Sequence, residues 1–527
     1  MRELNTETSL LTSLFLPNPM RFLVPLFLST GALVAQVGPN YERPATETAA
    51  RFKGVAWREA RPSSHQPKGE WWKVFRDAKL NSLMEQATAN NQNLKAAIAR
   101  FDQARATARM ARADLFPVAS IPLSADRQRT SENAISPIPL NGLFYEGPAY
   151  NAATDLTWEL DLFGKIRRGA EAGRADAEAA ADAVQNLLLG MQADVATNYF
   201  KLRSLDQEIR LVREAVGLRG EAFKIAKARV EAGAGSELEQ AQSETEVASA
   251  EAEIASLQAQ RDQLENAIAI LLGANAASFK ITASGSGLAS PPAIPVGAPS
   301  DLLERRPDVS QAERVLAAAT ARIGVAKAQF FPSIKLIGRA GFQSTDIDLL
   351  MQPESLIWSY GPSISLPLFS GGKNRFNLTK SKAAHDEALA GYRQAFLTAV
   401  ADVESSLSSI RNLANSAEAQ QRARNSAERA ASLARTRYES GTSPYLDVIE
   451  ANRTTLATQR ATVQLASQRM IASVSLIKAL GGGWDTTQPV ALPAVTPDPA
   501  ARNVPGSETG FLTKVKGIFK KKDPVMP

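Results

Sequence analysis

Asp447 and Glu450 lie three residues apart just beyond Gly441, so a helix there sets both carboxylates on one face. By residue type alone they are an ordinary exposed pair, and what they serve depends on what carries them. Other chemistry-bearing types are scarce. The chain has no cysteine and only two histidines, His65 and His385, which excludes a cysteine nucleophile and a Cys/His metal centre. Gly371-Gly372 lacks the pattern of a phosphate loop. The remaining acidic residues fall at helical spacings suited to solvated faces and i,i+4 pairs, with no nucleophile–base constellation. The expectation is a protein that is not an enzyme and holds no cofactor. With 60 basic and 54 acidic residues the net charge is only +6, which does not suggest a nucleic-acid partner.

The pair follows one of two similar stretches. Ile166 to Ala232 and Lys373 to Ser440 are alanine-rich, charge-laced and free of proline. They close on Arg229-Val-Glu-Ala-Gly233 and Arg437-Tyr-Glu-Ser-Gly441. As helices each is about 100 Å long and must pack along its whole length, because a long helix draws its stability from its apolar face. A return helix follows each, Glu237 to Leu272 and one ending at Leu480. A helix from about Leu80 to Asp114 and another starting at Ser300 stop before Pro117 and Pro332. Ser300 suits the N-cap, with Asp301 and Glu304 in the first turn. Matching landmarks lie about 208 to 215 residues apart, the mark of a duplicated domain. A short helix and a return helix stacked end to end, about 52 and 57 Å, would match one long helix.

Between the helices the period changes to two. Ala152, Leu156, Trp158, Leu160 and Leu162 alternate with Asn151, Asp155, Thr157, Glu159 and Asp161. Val118 to Arg129 alternates less cleanly. Ser333 to Gln343 and Leu356 to Leu368 repeat the pattern, the latter gathering Trp358, Tyr360, Ile364, Leu366 and Leu368. Each half thus supplies two strands with one apolar and one polar face. Trp158, Trp358 and Tyr360 on the apolar face suit membrane-interface aromatics. Four strands cannot close a barrel, and an open edge cannot sit in lipid, so a barrel must be shared between chains. Two chains give a barrel filled by side chains; three give one wide enough for a pore. A soluble antiparallel sheet on a helical core is the alternative.

The resulting order is a leader, 1–35; an extended arm, 36–75; a first repeat, 76–280, with its hairpin at 118–162; a linker, 281–299; a second repeat, 300–484, with its hairpin at 333–369; and a tail, 485–527. The leader reads as an export signal, Met20-Arg21 before the apolar run Phe22 to Leu28, with Ala35 at a cleavage position and Met20 an alternative start. The proline-rich tail ends in Phe511 to Lys522, where Phe511, Leu512, Val515, Ile518 and Phe519 share a helical face opposite lysines. That is the pattern of a short interfacial helix drawn to an anionic surface, or of an unstructured basic tail.

Four motifs carry a resemblance. Gln36-Val-Gly-Pro-Asn-Tyr-Glu-Arg-Pro44, Pro291-Pro-Ala-Ile-Pro295 with Ser300-Asp-Leu-Leu-Glu-Arg-Arg-Pro-Asp308, Leu366-Pro-Leu-Phe-Ser-Gly-Gly372 and Arg437-Tyr-Glu-Ser-Gly-Thr442 are similar to those of TolC-like outer-membrane factors of the NodT/OprM type. The resemblance covers roughly Val37 to Gly483. It implies a homotrimeric exit duct of a tripartite efflux system in the outer membrane of a Gram-negative cell. The fold it implies is mainly α with a membrane β part: a long α-helical barrel below a shared 12-stranded barrel. Its partners would be outer-membrane lipid, a periplasmic adaptor and an inner-membrane pump of the RND class. Asp447 and Glu450 match acidic positions lining the closed periplasmic entrance of such channels, where three copies give up to six negative charges that favour cations. Glu239 is the weaker counterpart in the first repeat. Tyr438 matches a tip residue that helps hold the entrance closed, while Ser443 stands where TolC has an arginine. The tips around Gly233, Gly441, Thr442 and Ser443 would meet the adaptor. Many members carry a lipidated cysteine before Val-Gly-Pro; here the position holds Ala35, so lipid attachment through a thioether is not expected. A periplasmic coiled-coil adaptor is the competing reading, disfavoured by the four aromatic strands and the duplication. An exported hydrolase is a third.

Overall fold

The computed structural model describes residues 36–44, 51–52, 55–56, 69–131, 145–284, 287–292 and 306–482. The leader and the tail from 483 onward lie outside them. Seven helices are described: α1 Ala78–Asn90, α2 Gln92–Ala113, α3 Lys165–Glu231, α4 Glu237–Leu271, α5 Pro307–Ala328, α6 Lys373–Glu439 and α7 Tyr445–Ala479. Five strand segments accompany them: β1 Val118–Ser120, β2 Leu123–Arg129, β3 Glu146–Leu160, β4 Ser333–Ser344 and β5 Leu356–Ser365. A separate two-residue ladder pairs Arg51–Phe52 with Val55–Ala56. The two long helices have 67 residues each and the two return helices 35 each, so the duplication holds in length as well as in order.

Two boundaries differ from the sequence reading. The helix before the first hairpin is two helices, broken at Asn91, whose side-chain oxygen accepts from the Leu94 amide at 2.9 Å and so caps α2. The helix before the second hairpin is described from Pro307, and the expected Ser300 cap with Asp301 and Glu304 lies outside the described residues. Proline suits the first helical position because it lacks an N–H that would go unpaired there. The outer strand of the first hairpin is interrupted at Ile121-Pro122, and its partner β3 begins at Glu146 rather than Asn151. Pro122 has no amide for the ladder, though its carbonyl still accepts from Ala153 N at 3.4 Å.

The chain divides into two compact units. One comprises Met1–Ala45, Ala104–Glu178 and Ala312–Tyr392. It contains the sheet, antiparallel throughout in the order β1/β2, β3, β4, β5. The central pair β3–β4 joins the two repeats. Gly341 permits that pairing: a Cβ there would stand 2.3 Å from Ala153 Cα. The arm is tied into this unit. Val37 N donates to Phe163 O at 3.2 Å, and Gly38 rests on Gly324. Tyr41 and Arg43 both donate to the buried Glu313 at 3.1 Å.

The other unit comprises Thr46–Gln103, Ala179–Gln311 and Arg393–Pro527. Its core gathers Trp71, Trp72, Phe75, Leu80, Leu83, Met84, Tyr199, Phe200, Ile268 and Met470, all buried. At about 1.5–3 kcal/mol for each large side chain, this cluster is a main source of the unit's stability. The helix ends here are matched across the repeats. Asn91 Nδ2 donates to Leu271 O at 2.7 Å, at the last residue of α4. Arg306 Nη1 donates to Ala479 O at 3.1 Å, at the last residue of α7. Each return helix thus ends against the residue that starts the next short helix. Arg306, buried, also grips Asp308 through two nitrogens at 3.0 and 2.7 Å and Asp402 at 3.0 Å.

Candidate functional site

Two places concentrate side chains with a directional role: the hairpin tips and the two faces of the sheet. At the tips the long helices end on left-handed glycines, Gly233 and Gly441, both at φ 72°. Ala234 N bonds to Arg229 O at 2.8 Å and Thr442 N to Arg437 O at 2.9 Å, the same C-terminal cap twice. Thr442 Oγ1 also donates to Arg437 O at 2.9 Å, and Ser443 Oγ is buried with no hydrogen-bond partner. Beyond the second tip α7 exposes Asp447 and Glu450 and buries Val448 and Ile449.

The structure brings these residues together with others that sequence reasoning did not single out. Tyr438 accepts from Arg229 Nη1 at 3.0 Å, so the tips of the two repeats are bonded within one chain. Its ring lies 5.2 Å from that of Tyr445, whose hydroxyl pKa is raised, chiefly by burial. Glu450 is ion-paired to Arg453 at 2.9 Å, so its charge is offset inside the chain. Arg453 also donates to Glu246 at 2.9 Å, and Glu246 pairs with Arg219 at 3.2 Å. Seven residues further along α7, Arg460 pairs with Glu253 and lies 3.3 Å from Glu208, which also accepts from Gln464 at 2.8 Å. Arg453 and Arg460 on α7, Glu246 and Glu253 on α4, are therefore a heptad-spaced double contact between the return helices. The buried Glu246 and Glu208 gain only if these partners stay. A signal existed in the chain: each Glu–Arg pair is 207 residues apart, close to the repeat offset. Glu239 is half-buried in the first turn of α4.

Register sorts the sheet into two faces. One carries Leu156, Trp158 and Leu160 on β3, opposite Gly338, Leu336 and Ile334 on β4, then Tyr360, Pro362 and Ile364 on β5. Across β3, β4 and β5 this face holds no charge between Ala152 and Leu160, the span of five register rows. Trp358 and Tyr360 stack at 5.8 Å and remain about two-thirds exposed. Trp158 donates to Leu115 O at 2.9 Å and is less exposed. The opposite face carries Asp155, Glu159, Lys335 and Arg339. Among the described residues no cluster could hold a metal ion, and no helix is long and apolar enough to cross a membrane.

The profile of the outer membrane efflux protein family matches residues 83–274 and 298–482. The chain belongs to that family. Outer membrane protein OprJ of Pseudomonas aeruginosa is 33% identical over 460 residues, which cover 87% of this chain and 94% of OprJ. Toluene efflux pump outer membrane protein TtgF of Pseudomonas putida is 32% identical over 480 residues, 88% of this chain and 98% of TtgF. The solved outer-membrane channel OprN superposes with a TM-score of 0.76 at 32% identity, covering 85% of this chain and 99% of OprN. For this member of the outer membrane efflux family, the match takes in both repeats, the sheet and the tips.

Proposed function

We propose that the protein is the outer-membrane exit duct of a tripartite efflux system, passing solutes from a periplasmic adaptor and an inner-membrane pump of the RND class to the exterior. The observation that carries this reading is the sheet: four strand positions, one aromatic face uncharged between Ala152 and Leu160, one charged face and, among the described residues, two open edges. Three chains close those edges into twelve strands, with the apolar face to lipid and the charged face to water. Trp158, Trp358 and Tyr360 then sit toward the membrane interfaces. The tips at Gly233, Gly441, Thr442 and Ser443 receive the adaptor. Asp447, Glu450 and Tyr438 surround the periplasmic entrance, with Arg229 and Arg453 holding one repeat to the other. The mature chain is held by its barrel, without a thioether lipid, since it has no cysteine. The test is reconstitution into planar bilayers. Single-channel steps from a trimeric species support the duct; a trimer without conductance, even after Arg453→Ala, refutes it.

A further inference from the structure

The charged face of the sheet is nearly self-neutral. In register order it presents Asp126, Asp155 and Glu159 from the first hairpin and Lys335 and Arg339 from the second. Arg339 Nε lies 3.6 Å from Asp155 Oδ1. Glu159 is register partner to Lys335 and lies 3.0 Å from Lys165 Nζ at the start of α3. Asp155 and Glu159 therefore meet three cations, Arg339, Lys335 and Lys165, while Asp126 has an uncharged register partner, Ala149. Each acid comes from the first repeat's hairpin, and both strand-borne cations come from the second. The neutrality is thus made by pairing the repeats, not within either.

We propose that Arg339 is a specificity-determining residue of the bore: its charge cancels Asp155 at one level, so that the β section passes cationic and anionic solutes alike. The proposal rests on the duct reading, in which this face lines water. Rings of one charge in a pore select by sign. Removing Arg339 would leave Asp155 uncovered in every chain, three negative charges at one height. The solutes that fit the native bore are therefore uncommitted in charge, and discrimination by charge falls to other parts of the duct.

The absence of cysteine supplies a clean background for the test. Ser359 is the register partner of Arg339 on the next strand, on the same face, and is exposed. A Ser359→Cys reporter is placed in full-length trimers in liposomes at low salt. It is modified from outside with a cationic and an anionic methanethiosulfonate of similar size. The ratio of the two rates reads the local potential without passing the periplasmic entrance. With Arg339 present the ratio stays within about twofold of that for a free thiol. Arg339→Gln shifts it roughly three- to tenfold toward the cationic reagent, and Asp155→Asn shifts it the other way, for one charge at side-chain distance in weakly screened water. Arg339→Lys and the double variant Asp155→Asn/Arg339→Gln return it to the original value. A merely structural pair would shift both single variants in the same direction or leave both unmoved. A ratio unmoved by Arg339→Gln while both reagents react overturns the proposal and leaves the duct intact. A reporter that neither reagent reaches shows that the face is not in water, and the duct reading falls with it.

Discussion

Near the second tip, Arg453 holds two carboxylates at once, Glu246 and Glu450. This changes what the acidic pair can do. With Glu450 offset, Asp447 is the member of the pair whose charge stays uncompensated. Asp447→Asn is therefore expected to raise the half-blocking concentration of a trivalent cation about tenfold in bilayer recordings, with Glu450→Gln having little effect. Equal effects of the two would show that Arg453 does not screen Glu450. Arg453→Ala leaves the buried Glu246 with Arg219 alone and unties the repeats near the tip. The expected outcome is a several-fold larger conductance from an otherwise intact trimer. Tyr199 carries a pH signature. Burial, then the Asp77 carboxylate that accepts its hydroxyl at 2.6 Å, hold its pKa above the ordinary tyrosine range. The unfolded chain loses this proton near pH 10 and the folded one later. The stabilisation is complete below about pH 10 and declines as pH rises above it. Tyr199→Phe should flatten the loss of thermal stability between pH 9 and 11; an unchanged slope would assign that loss to other groups.

At the scale of elements, the two junctions between return helix and short helix do one job with different chemistry. Asn91 bonds a carbonyl at the end of α4 and caps α2. Asn91→Ala is expected to cost about 1–2 kcal/mol, the range for losing a cap. Arg306 brings a full charge to the end of α7, where the helix dipole favours a cation, and, itself buried, it pairs with the half-buried Asp308 and the exposed Asp402. Arg306→Ala removes both ion pairs and the bond to the end of α7 together and should cost more, about 3 kcal/mol, visible as a larger fall in melting temperature than Asn91→Ala produces. The reverse ranking would mean that the arginine is replaceable by water. In the sheet, Gly341→Val puts a side chain into the backbone of β3. Since β3–β4 is, among the described residues, the only pairing between the two hairpins, this change should abolish membrane-inserted trimer while helix content in the remaining chain persists by circular dichroism.

For the whole molecule the decisive feature is a sheet with two free edges, β1/β2 at one side and β5 at the other. Native mass measurement in mild detergent is expected to give three copies of the chain. A stable, fully dispersed monomer would contradict the shared barrel, because in lipid each open edge leaves a row of unpaired backbone groups. The arm belongs to this scale as well. With Tyr41, Arg43 and Arg314 all directed at Glu313, it is fastened by chemistry that needs no lipid.

The chain by itself determined what depends on neighbours in sequence. Gly233 and Gly441 end the long helices because glycine accepts the left-handed turn, and period-two alternation around Trp158, Trp358 and Tyr360 marks strands with two unlike faces. The motifs made the family legible before any coordinates. Tertiary structure decided what depends on residues far apart. Asn91 breaks a helix that alanine-rich sequence would continue, because its side chain is claimed by Leu271 across the unit. Helical spacing already offers Arg453 to Glu450, but Arg453 reads as surface until Glu246 arrives from the other repeat. Local spacing fixes an element's length and faces, whereas a side chain's charge state and partners are set by the repeat that folds against it.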